Sequence, residues 1–103
     1  MADQIQEKLG GFVREKLEER FRDAFIFDPI LVREEVDEYG DAYLHTYIVY
    51  DGDDSKWDPS WMAGLTERIL PVSIELGFPS IPMQSYIEKA DWLEHPHTLQ
   101  ENW

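Results

Sequence analysis

The groups in this chain able to move a proton or hold a metal are few in kind: three histidines, five serines and twenty-two carboxylates, with no cysteine. His45 stands in the run Tyr43-Leu44-His45-Thr46-Tyr47. An imidazole titrating near neutrality can carry a proton when a carboxylate orients it, and Glu35 falls on the same face if both segments are strands. No nucleophile is assigned beside it. Ser55, Ser60, Ser73, Ser80 and Ser85 all lack the Gly-x-Ser-x-Gly setting of an exposed catalytic serine. The expected state of His45 is an exposed or hydrogen-bonded strand histidine, and the chain reads as a non-enzyme.

Two segments invite a metal test. In the acidic run Asp51-Gly52-Asp53-Asp54-Ser55-Lys56-Trp57, oxygen ligands fall at positions 1, 3 and 5 of a calcium-type loop. Position 6 is then Lys56 rather than glycine and position 12 is Met62 rather than glutamate, so the pattern fails where it is most demanding. The run reads as a solvated loop whose aspartates cap turns. His95-Pro96-His97 offers imidazoles near Asp91 and Glu94, a donor set that suits zinc. It lies in a segment with no periodicity to organise it, so no metal ligand is named and no cofactor is expected. Glycines match no phosphate-binding fingerprint.

Composition narrows the classes further. Nine Lys and Arg against 22 Asp and Glu leave a formal charge of −13 on 103 residues. Direct nucleic-acid binding needs a cationic surface and is excluded. With 43% hydrophobic and 14% aromatic residues, this is a folded acidic domain rather than a disordered tail. The N-terminus lacks a basic stretch followed by an apolar one, and no apolar run approaches the ~18 residues of a membrane span. A soluble cytoplasmic protein is expected.

The elements that would position these groups follow from periodicity. Ile5, Leu9, Val13, Leu17, Phe21 and Phe25 recur every four residues and predict an amphipathic helix, trusted from Phe12 because Gly10-Gly11 weakens what precedes it. Past Pro29 the period becomes two, predicting a strand around Ile30–Val36. A turn with Gly40 and a second strand over Ala42–Tyr50 complete an antiparallel hairpin. Asp58-Pro59 opens a second helix carrying Met62, Leu65, Ile69, Val72 and Leu76, which Pro71 should kink or end early and Gly77 should stop. Ile81, Met83 and Ile87 predict a third strand, parallel to the second, with Pro82 at an edge.

The class is therefore α+β: an αββαβ two-layer sandwich, a three-stranded sheet with two helices on one face. Residues 1–89 form a single domain, and 90–103 a tail or short helical turn. Strand one is expected in the middle of the sheet.

On that plan the reverse face displays Leu31, Arg33, Glu35, Tyr43, His45, Tyr47, Val49, Gln84 and Tyr86. Tyrosines mixed with arginine favour protein contact. The candidate partner-binding residues are Arg33, Glu35, Tyr43, His45, Tyr47 and Tyr86. To these are added Trp57 and Trp61, four apart at the start of the second helix, which close the core or, where exposed, anchor a partner.

The stretch Val32–Leu44, with Ile48-Val49-Tyr50-Asp51-Gly52, Trp61-Met62-Ala63-Gly64-Leu65 and Gly77-Phe78-Pro79, resembles small acidic bacterial proteins paired with HEPN-type RNase-like partners. The resemblance covers residues 28–92 and is one of hydrophobic and turn pattern. It implies an antitoxin-like or inhibitory partner of a basic protein. The element order is also similar to the cytosolic domains of cation-diffusion transporters and to KH-like ribosome-binding factors, which leaves a divalent-metal or small-ligand-binding regulatory domain as the alternative. The expected partner is another, basic protein. A homodimer through the open sheet face is a second possibility.

Overall fold

The structure is a computed structural model that describes residues 2–94. Helix α1 (Ala2–Phe21) leads through a short 3-10 turn into strand β1 (Phe25–Val36), which pairs antiparallel with β2 (Ala42–Gly52). Two short helices, α2 (Pro59–Ala63) and α3 (Leu65–Glu75), carry the chain back to β3 (Met83–Glu88), parallel to β2, and α4 (Lys89–Glu94) follows at once. The fold class is α+β, as expected. His95, His97 and Trp103 lie outside the described residues.

One core holds the layers together. Leu9, Val13, Leu17 and Phe21 of α1 meet Phe25, Phe27, Ile30 and Val32 of β1, Leu44, Ile48 and Tyr50 of β2, and Leu65 and Ile69 of α3. Each fully buried aliphatic side chain contributes about 1.5–3 kcal/mol relative to exposure, which is what obliges both apolar helical stripes to face one side of the sheet.

Four expectations are corrected. First, α1 runs unbroken through Gly10-Gly11. A Cβ on Gly10 would sit 3.0 Å from Gln6 Nε2 and 3.7 Å from Val32 Cγ2, so the missing side chain lets the helix approach β1 closely, and packing offsets the weak propensity. Second, the helical stripe ends at Phe21 rather than Phe25: Arg22 turns to φ 47°, and Phe25 and Phe27 are already alternating strand residues with Ile26 and Asp28 exposed. The fourfold spacing of Phe21 and Phe25 is shared by chance between a helix end and a strand start.

Third, the break in the second helical segment falls at Gly64, while Pro71 sits inside α3. Pro71 and Glu67 are both exposed, so the carbonyl that loses its bond faces solvent. Gly77 ends the region with φ 97°, as expected of a C-terminal stop, and Gly40 supplies φ 85° in the hairpin. Fourth, the strand order is β1-β2-β3, with β2 rather than the first strand in the centre. β2 is the strand with buried residues on both faces, Leu44, Thr46, Ile48 and Tyr50 on one and Val49 on the other, which is what a central position requires.

The face opposite the core is partly covered. Val49 and Trp92 are buried but stand outside the core cluster, and α4 packs against β2 and β3. Lys89 at the start of α4 donates from Nζ to Asp28 O at 2.8 Å, strapping α4 across to the register shift in β1 between Phe27 and Ile30.

Candidate functional site

Alternation along three adjacent strands builds the site. On the face away from the core, β1 presents Leu31, Arg33 and Glu35, and β2 presents Tyr47, His45 and Tyr43 directly opposite them. β3 adds Met83 beside His45 and Ser85 beside Tyr47.

Glu35 is the hub. Its Oε1 accepts from Tyr43 Oη at 2.9 Å and from His45 Nδ1 at 3.0 Å, and its Oε2 accepts from Tyr47 Oη. His45 Nε2 lies 2.7 Å from Ser85 Oγ. A carboxylate only accepts, so Nδ1 carries the imidazole proton; in the neutral ring Nε2 then accepts from the Ser85 hydroxyl. The His45 and Tyr47 rings stack with centroids 4.1 Å apart and planes 8° apart, fixing the imidazole in position. The side chains of His45 and Glu35 are only 14% and 22% exposed.

Burial alone would raise the Glu35 pKa, but the bonds from Tyr47, His45 and Tyr43 outweigh it and hold the carboxyl below its ordinary 4.5. The same carboxylate pushes Tyr43 up, chiefly through its hydrogen bond, and raises Tyr47 after burial has done so. The cluster is therefore a fixed anion with its phenols kept protonated.

The bond order Ser85–His45–Glu35 is that of a nucleophile–base–acid relay. Acyl transfer also needs N–H donors aimed at the developing oxyanion. Ser85 lies within a strand, so its own amide runs in the plane of the sheet rather than above the face. Among the described residues no group of three or more metal-ligating side chains gathers.

The site residues named from sequence separate into two places. Arg33, Glu35, Tyr43, His45 and Tyr47 come together on the open face. Tyr86 does not: β3 has the opposite phase to the one expected. Tyr86 packs on Trp57 with ring centroids 5.3 Å apart, burial pushing its phenol up to about 12, and Gln84 accepts from Thr66 Oγ1 at 2.7 Å. Met83, Ser85 and Ile87 therefore take the open face. Trp57 and Trp61 also belong to the core side. Trp57 stacks on Phe25 at 4.0 Å and Trp61 meets Phe21 edge-on at 5.4 Å. Asp58 caps α2 through Trp61 N and pairs with Arg20, which holds that corner shut.

Ser85 is the member that sequence reasoning missed. The apolar residues Ile81, Met83 and Ile87 drew the third strand's phase inward, and that assignment placed Ser85 under the helices. Compared with protein-family models, curated proteins and solved structures, the chain matches none of them. No described helix is long and apolar enough to cross a membrane.

Proposed function

We propose that this chain is an acidic protein-interaction module whose open sheet face docks onto a basic partner protein. The observation that carries the reading is the Glu35 cluster: a rigid, half-buried patch of Tyr43, His45 and Tyr47 with Met83 exposed beside it. Tyrosines already locked by hydrogen bonds lose little side-chain freedom on contact, which is what makes them effective anchors.

The formal charge of −13 supports a cationic partner by steering encounter. Four of the nine Lys and Arg side chains pair with carboxylates of the chain itself, in Lys8–Glu75, Arg14–Asp28, Lys16–Glu19 and Arg20–Asp58. A role as the antitoxin-like or inhibitory member of a gene pair, with a HEPN-type RNase-like partner, fits this chemistry. Self-association through the same face would set two chains of charge −13 against each other.

Native mass by light scattering tests the proposal, taken on the chain alone and mixed with the product of the adjacent reading frame. The expected result is a monomer that forms a stoichiometric complex, weakened by salt of about 0.5 M and lost in Tyr43→Ala. An unchanged mass on mixing, or a complex indifferent to Tyr43→Ala, would contradict it.

A further inference from the structure

The two outer edges of the sheet are treated differently. A strand edge presents unpaired N–H and C=O groups, and a folded chain that is not to acquire another strand must cover them. On β1 the cover is explicit. The Gln6 side-chain amide of α1 copies a neighbouring strand, donating from Nε2 to Ile30 O at 2.7 Å and accepting at Oε1 from Val32 N at 2.8 Å. Arg14 of the same helix donates to Phe27 O. On β3 nothing comparable exists: among the described residues no side chain or loop bonds the main chain of β3 on the side away from β2.

We infer that the outer edge of β3, Met83–Glu88, is where the partner engages, by adding an extended basic segment as a fourth strand. The inference rests on the reading of the chain as a partner-binding module and names the form the partner takes. A strand laid beside β3 places every second side chain over the open face, next to Met83, Ser85 and Ile87. At the start of β3 these side chains reach a groove of about 420 Å³ walled by Tyr43, Ile81 and Met83, with Asp37 at its rim. Ile81 is 68% and Met83 51% exposed. That shape takes a lysine or arginine, its aliphatic stem on the apolar walls and its cation toward Asp37.

Charge selects the occupant. Glu88 and Asp91 are exposed at the far end of the strand, and the nearest cation, Lys89, is already committed to Asp28 O. A basic segment is attracted to this edge, whereas a second copy of an acidic chain is repelled.

The test uses the whole chain and a capped nonapeptide of alternating lysine and valine, with a control of identical sequence in which every backbone nitrogen is methylated. Methylation leaves no N–H to donate to a ladder, so the control keeps the charge and removes strand addition. Titrations are followed by amide chemical shifts and hydrogen exchange. The expected result is saturable binding that slows exchange at those amides of 83–88 not bonded to β2, leaves Ile30–Val32 unchanged, and is at least about tenfold weaker for the control.

Equal binding of both peptides, protection at the β1 edge instead, or no binding would overturn the inference. So would outer-edge amides of β3 that are already protected in the free chain, because another occupant then holds the edge. Failure of this inference is separable from failure of the module reading. A complex lost in Tyr43→Ala while the β3 amides stay unprotected refutes the edge alone. A peptide seated on β3 while the partner ignores Tyr43→Ala refutes the face alone.

Discussion

Glu35 carries three hydrogen bonds on two oxygens, and its depressed pKa ties the open face to acid stability. A carboxyl lowered on folding stabilises the native state above its unfolded value and loses that contribution as pH falls through the native value. The contribution is therefore complete above the ordinary 4.5, starts to fall there, and is gone only once pH is below the depressed native value. Denaturant titrations across that range should show the acid limb of stability flattened in Glu35→Gln; an unaltered limb would mean the cluster contributes nothing to folding. Thr46 presents the opposite case. It is fully buried on the core face of β2, and its Oγ1 has no partner among the described residues. Thr46→Val keeps the shape and removes the unmade bond, so the urea midpoint should rise, by about 1 kcal/mol of stability.

Among the elements, the hairpin was the most legible. Alternation in Tyr43-Leu44-His45-Thr46-Tyr47 put Tyr43, His45 and Tyr47 on one side, and the turn at Gly40 fixed Glu35 and Arg33 opposite them. β3 was illegible because Met83-Gln84-Ser85-Tyr86-Ile87 has apolar residues in both phases, and both faces of that strand are partly covered. What decides its phase is tertiary: Thr66 reaching Gln84, Trp57 receiving Tyr86 and α4 closing over the far side. Gln6 was equally hidden, since nothing about a helical glutamine announces that its amide will serve a strand 24 residues away. Gln6→Ala should speed hydrogen exchange at Val32 N while leaving β2 amides unchanged; equal rates would show that the edge is covered some other way.

Among the described residues, one face of the sheet is closed by α1, α2 and α3 and the other only where α4 lies. The remaining open surface joins an anionic polar cluster to an apolar groove and to a bare strand edge, all on an acidic chain. Hydrogen exchange of a complex with the proposed basic partner tests this most directly. The expected result is slowed exchange confined to residues 31–35, 43–47 and 83–88. Protection on the outer surfaces of α1 and α3, with the sheet unchanged, would contradict it.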